Sequence, residues 1–178
     1  EAAAEYIAAE FGRLDLRPLG DEGYFQTFRL PDAEGIASAG SQGIGRNVLG
    51  LLPGQQMGES THVLILGAHY DHLGIDPDGH LYPGANDNAS GVAVLLEIAR
   101  VMRLAGYIPD YPVLFAAWDG EEQNLLGSLH YVRNPAFPMA STIGMIQLDM
   151  VGLASEGVLH VEGSGNAVGR QLILSAAS

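Results

Sequence analysis

Three unbroken apolar runs constrain this chain more than anything else in it. His62 to Gly67 (HVLILG), Tyr111 to Trp118 (YPVLFAAW) and Thr142 to Leu148 (TIGMIQL) lack the polar alternation of a half-wet strand. Such runs read as strands covered on both faces, the pattern of a parallel sheet held between helices. Each ends in groups that do not belong in a core. His69 and Asp71 follow the first, Glu121 and Glu122 the second, and Asp149 the third. Ligands of open α/β sheets bind at the carboxyl ends of strands. These acids and the imidazole would be prohibitive to bury unpaired, and a metal site would resolve that.

The remaining pattern fills in an α/β fold. Ala2 to Phe11 has helical apolar spacing and is expected to end at Gly12. Gly23 to Leu30 and Arg46 to Leu52 read as an antiparallel pair of strands at one sheet edge, around a Gly/Ala/Ser loop over Pro31 to Gly45. Asp76 to Gly79 is a turn, and Ser90 to Leu104 a helix with Gly106 as its terminator. Asn124 to Val132 is a further helix, Gly157 to Glu162 a strand, and a last helix starts at Asn166. The expected architecture is a three-layer sandwich with a mixed, mostly parallel sheet, in one domain over residues 1–178, incomplete at its C-terminal end.

Composition narrows the partners. The 178 residues carry 8 basic groups, all Arg, against 21 acidic ones, a net charge of −13. That field repels phosphate backbones and anionic lipid, so neither nucleic acid nor a membrane is expected as a partner. Cationic groups such as peptide N-termini are weakly attracted. Without cysteine, thiolate metal sites and disulfides are excluded. No apolar run reaches membrane-spanning length.

The chemistry concentrates around Pro83 to Gly91 (PGANDNASG), where one carboxylate stands between two amides and small residues. An Asx-rich turn with Ser90 capping the next helix is one reading. An Asp bridging two cations is the other. His69 and Asp71, two apart in extended backbone, project the same way and suit a ligand and the carboxylate that holds its other nitrogen. Of the adjacent Glu121 and Glu122, one can serve as metal ligand and the other as general base. Zinc, manganese or cobalt fits this nitrogen and oxygen donor set, with zinc the usual choice for hydrolysis.

GAHYDHLG from Gly67, PGANDNASG from Pro83, AAWDGEEQNLLGS from Ala116 and IQLDMVG from Ile146 together resemble the co-catalytic zinc aminopeptidases of peptidase family M28. The likeness runs from about Asn47 to Gly152, in order and spacing. It implies that His69 and Glu122 bind one zinc, that Asp87 bridges two, and that Asp149 binds the second. It further implies that Glu121 is the general acid/base activating a bridging water, that Asp71 orients His69, and that the Asp87–Asn88 peptide is cis. Asn124 stands where the family usually has Gly, a departure that the tolerance of Asn for left-handed backbone makes conservative. The second zinc's remaining His is expected beyond residue 178. His160 is not assigned to it, so one or two zinc ions are expected here.

The function this implies is removal of an N-terminal residue from peptides that carry a free amine. A glutaminyl cyclase, a carboxypeptidase-like relative and an inactive binding module of the same fold are the alternatives. With one ligand missing, the chain by itself is expected to be weak or inactive. Family habit suggests a secreted or periplasmic protein, and an open apolar side suggests association with a second copy.

Overall fold

The structure is a computed structural model and describes residues 1–30, 43–58 and 61–153. Helix α1 (Ala2–Arg13) is followed by strands β1 (Arg17–Pro18), β2 (Phe25–Arg29), β3 (Ile44–Leu52) and β4 (Val63–His69). The short strands β5 (Gly74–Ile75) and β6 (Leu81–Tyr82) form a hairpin around the Asp76–Gly79 turn. Helix α2 (Ser90–Leu104), strand β7 (Val113–Trp118), helix α3 (Leu126–Arg133) and strand β8 (Thr142–Gln147) complete the described chain.

The main sheet runs β1-β3-β7-β4-β8, with β2 also on β3. Strand β4 is parallel to both β7 and β8, while β3 is antiparallel to β7, β1 and β2. The sheet is therefore mixed, and its parallel centre is built from the apolar runs.

Alternation along β7 shows how the layers divide. Val113, Phe115 and Ala117 face a core shared with Ile7 and Phe11 of α1 and Leu95 and Ala99 of α2. Leu114, Ala116 and Trp118 face the opposite side with Tyr131 of α3. Phe11 is fully buried, with Tyr24 and Phe115 edge-on at centroid distances of 6.1 and 6.5 Å. Gly50 makes room for it, since a Cβ there would lie 2.7 Å from the Phe11 ring.

Three expectations need correction. Helix α1 does not end at Gly12 but runs through it to Arg13, because Glu10 and Gly12 carbonyls are still satisfied by the chain that follows. Ser90 does not cap α2. It lies inside the helix with its hydroxyl on the Asn86 carbonyl at 2.6 Å, and Asn88 Oδ1 instead accepts the Gly91 N–H. Strand β8 is not covered on both faces. Ile143, Met145 and Ile146 are about half exposed, and among the described residues β8 pairs with β4 alone, while α2 packs chiefly on β4 and α3 on β3. The strand expected at Gly157 to Glu162 and the helix from Asn166 lie outside the described residues. So does most of the Pro31 to Gly45 loop.

Candidate metal centre

Every candidate residue sits at the carboxyl end of β4, β7 or β8, or in the loop entering α2. His69 is the last residue of β4 and only 1% exposed. Its Nδ1 lies 3.2 Å from the Asp71 carbonyl oxygen, so this nitrogen carries the proton and donates it. Nε2 then aims at Asp87 Oδ1, 3.2 Å away, and Asp149 Oδ1, 3.3 Å away. A bare nitrogen lone pair facing two carboxylate oxygens is repelled by them. Only a second proton or a metal cation relieves that.

The electrostatics agree. Burial pulls the His69 imidazole down, but the neighbouring Asp71, Asp149 and Glu121 override it and push the pKa up to about 9. The spacing also suits a metal. Donors about 2.0–2.2 Å from a tetrahedral zinc lie roughly 3.3–3.5 Å from one another, close to the two distances found at Nε2.

Asp71 works through its backbone contacts. Its carboxylate stands 3.7 Å from His69 Nδ1, too far for a hydrogen bond, and accepts the N–H groups of Glu121 at 3.0 Å and Glu122 at 3.2 Å. Burial raises its pKa, and the His69 and backbone partners outweigh that, leaving it below its ordinary value. Asp71 thus ties the turn after β7 to the end of β4. Asn47, fully buried, secures the same turn from beneath by accepting the Asp119 N–H at 3.2 Å and donating to the Gly127 carbonyl at 2.8 Å. Asn124 and Leu125 turn the chain into α3 with φ of 66° and 63°, as expected for Asn124.

Glu121 Oε2 lies 4.0 Å from His69 Nε2. Its pKa is raised, first by burial and then by Glu122, Asp149 and Asp71, against the lowering effect of His69. Glu121 therefore holds a proton more readily than an ordinary glutamate beside the same group of donors.

The wide turn Ala85–Ala89 carries Asp87. The Asp87–Asn88 peptide is cis, as the resemblance implied. The flanking amides hold the turn against the chain after β8. Asn88 donates to the Leu148 carbonyl at 2.9 Å and accepts the Met150 N–H at 3.1 Å, and Asn86 accepts the Gly152 N–H at 3.1 Å. Gly91 is required by this approach, since a Cβ would fall 2.4 Å from the Leu148 carbonyl oxygen. Asp87 and Asp149 are positioned together by these amides, a role that the sequence reading did not give them.

The pairing of ligands differs from expectation. Glu122 was placed with His69, and Asp149 on the other ion. The structure puts Asp149 beside His69, and among the described residues no ion pair joins His69 to Glu122. Strand β4 separates β7 from β8, so acids from its two neighbours approach from opposite sides. Glu122 Oε1 instead meets His72 Nδ1 at 2.8 Å. His72 went unassigned in the sequence. Its only signal was a second imidazole one residue past Asp71.

An α/β sheet whose strand ends and entering loop gather one imidazole and several carboxylates around a common point has the build of a metal-dependent hydrolase. The chain belongs to peptidase family M28, whose family model matches residues 47–177. An aminopeptidase of Pseudomonas aeruginosa is 38% identical over 115 residues, 64% of this chain and 20% of that protein. BSAP, a zinc aminopeptidase from Bacillus subtilis, superposes with a TM-score of 0.50 at 35% identity, over 61% of this chain and 25% of that one. LapB from Legionella pneumophila gives a TM-score of 0.57 at 26% identity, over 84% of this chain and 36% of its own. The chain spans about a fifth of the length of the curated relatives it matches. Among the described residues no helix is long and apolar enough to cross a membrane.

Proposed function

We propose that the chain forms, as a single domain, the metal-carrying part of a zinc-dependent aminopeptidase that hydrolyses the N-terminal peptide bond of peptides. The observation that carries this reading is the convergence of His69 Nε2, Asp87 Oδ1 and Asp149 Oδ1, from three separate segments, within 3.3 Å of the imidazole nitrogen. Family membership and the names of the relatives support it. His69, Asp87 and Asp149 would hold a zinc ion, and Glu122 would offer a further carboxylate beside Asp87. Bound zinc supplies Lewis acidity to a scissile carbonyl and acidifies water.

The protein's own groups do the rest. Glu121 takes a proton from the attacking water as its oxygen adds to the carbonyl carbon. It returns that proton to the peptide nitrogen as the C–N bond breaks, leaving a free amino acid and a shortened peptide with a new amine. Asp71 keeps Glu121 in place through the backbone N–H it accepts. The free N-terminal ammonium of the substrate meets a chain of net charge −13 whose Asp87, Glu121 and Asp149 gather around His69.

Glu121→Gln removes the base and keeps the side-chain volume. The expected outcome is unchanged metal content with turnover of aminoacyl anilides lowered by about 10²–10⁴-fold. Substantial retained turnover refutes the role of Glu121. Cleavage of acyl-capped peptides, or cyclisation of N-terminal glutamine in place of hydrolysis, would replace the aminopeptidase reading with a carboxypeptidase-like or glutaminyl cyclase one.

A further inference from the structure

We propose that Tyr82 is a specificity-determining residue, its ring packing against an apolar side chain on the substrate residue that follows the cleaved bond. The proposal rests on the aminopeptidase reading above and names what such an enzyme reads beyond the N-terminal residue.

The hairpin β5–β6 is a two-stranded sheet of its own, apart from the main one. Such a pair is marginal in water without further support. Here the Asp76 carboxylate supplies it, accepting the N–H groups of Asp78 at 3.0 Å and His80 at 2.8 Å. Tyr82 closes the hairpin with 41% of its surface exposed and joins neither apolar core among the described residues. Its ring is nonetheless held at both ends. It stands edge-on to the His72 imidazole at a centroid distance of 6.4 Å, and its hydroxyl lies 3.4 Å from Asp76 Oδ2. Opposite Tyr82 in the ladder is Gly74, where a Cβ would meet nothing within 4 Å. A fixed aromatic ring beside open space offers a large apolar contact at little entropic cost to whatever fills that space.

The hairpin is joined to one side of the metal centre. His72 Nδ1 and Glu122 Oε1 share a hydrogen bond of 2.8 Å, and Gly84 packs close behind the imidazole, since a Cβ there would lie 3.1 Å from His72 Cβ. Glu122 adjoins Glu121, the acid that returns the proton to the peptide nitrogen. Asp149 stands on the other side, after β8. The leaving nitrogen therefore departs beside the turn after β7, and the residue carrying it comes away toward His72 and Tyr82. The N-terminal residue has no chain before its amine, so only this leaving segment reaches a surface beyond the donors. An apolar or aromatic residue in second position fills the space beside Tyr82, and glycine leaves it empty.

The test compares Leu-Phe-Gly-Gly, Leu-Leu-Gly-Gly and Leu-Gly-Gly-Gly as substrates of the zinc-loaded protein at its full natural length. The ratio of kcat/KM between peptides is the readout, because any general loss of activity cancels from it. In the wild type, the Phe and Leu peptides are expected to exceed the Gly peptide about tenfold. Tyr82→Ala should flatten that preference to within about twofold. Tyr82→Phe keeps the ring, loses the hydroxyl and should retain the preference. Leu81→Ser should retain it too, because Leu81 pairs with Ile75 and projects from the opposite face of the hairpin. A second readout needs neither turnover nor a Tyr82 variant that alters the site. In Glu121→Gln protein with ¹³C-labelled tyrosine, the ring resonance of Tyr82 should shift on adding Leu-Phe-Gly-Gly and stay in place with Leu-Gly-Gly-Gly.

Equal kcat/KM for the three peptides in the wild type overturns the proposal and leaves the aminopeptidase reading standing. So does a preference that survives Tyr82→Ala, or a Tyr82 resonance that ignores the Phe peptide. Loss of the preference in Leu81→Ser as well as in Tyr82→Ala traces it to the folding of the hairpin and overturns the proposal too. Failure to cleave any of the three peptides overturns both readings.

Discussion

Asn86 and Asn88 account for a choice that the metal chemistry alone does not require. Any small residues beside Asp87 would leave it room, yet amides stand on both sides, and each is spent on the chain following β8. Asn88→Ala deletes three hydrogen bonds of a side chain that is 1% exposed. It should lower metal affinity about 10–100-fold in chelator competition, the range for groups that hold ligands in place. His69 makes a second prediction at this scale. A ligating imidazole must give up the proton that its neighbours hold to about pH 9 in the absence of metal. Metal uptake near pH 7 should therefore release about one proton, and apparent affinity should rise with pH until that value is passed. Calorimetry in buffers of different ionisation enthalpy reads the number directly. His69, Asp87, Glu121, Glu122 and Asp149 stood out as candidates in the sequence because each ends a conspicuous run or interrupts a loop. Their grouping did not, because ligand order along a chain does not reveal that β4 lies between β7 and β8. The hydrogen bond between His72 and Glu122 was hidden for the same reason, since the two lie fifty residues apart.

At the level of elements, periodicity gave the longer strands and α2 to within about two residues, since runs such as Val113 to Trp118 leave no other way to bury both faces; the short strands β1, β5 and β6 carry too little pattern to be read. Periodicity misjudged β8, whose composition matches the central strands and whose position does not. Burial is a property of neighbours, and the run over Thr142 to Gln147 contains no sign of which strand will stand beside it. Helix α1 is where packing can be tested apart from the site. Phe11 fills the space above Gly50 and touches Tyr24 and Phe115. Phe11→Ala should cost about 3–5 kcal/mol in urea unfolding, with metal stoichiometry unchanged in the fraction that remains folded. A loss smaller than about 1 kcal/mol would mean that α1 contributes little to the core.

For the whole molecule, the candidate ligands fasten segments that are distant along the chain, His69 to Asp149 across eighty residues. An ion bound only by the folded state stabilises it by mass action. Removing metal should lower the melting temperature by about 5–10 °C for a chain of this size when the ion is supplied near a hundred times its dissociation constant. Calorimetric scans with and without chelator decide it, and superimposed curves would place the metal outside the fold's stability.

Helices α2 and α3 lie on opposite faces of the sheet, so the backbone leaving β4 and the backbone leaving β7 part in opposite directions. Where neighbouring parallel strands send their connections to opposite faces in this way, their carboxyl ends are where ligands of open α/β sheets bind. The place of the site is thus a product of winding, set before any side chain is chosen. A new chemistry on this scaffold needs no new place in the fold; it only has to exchange the few residues at these strand ends.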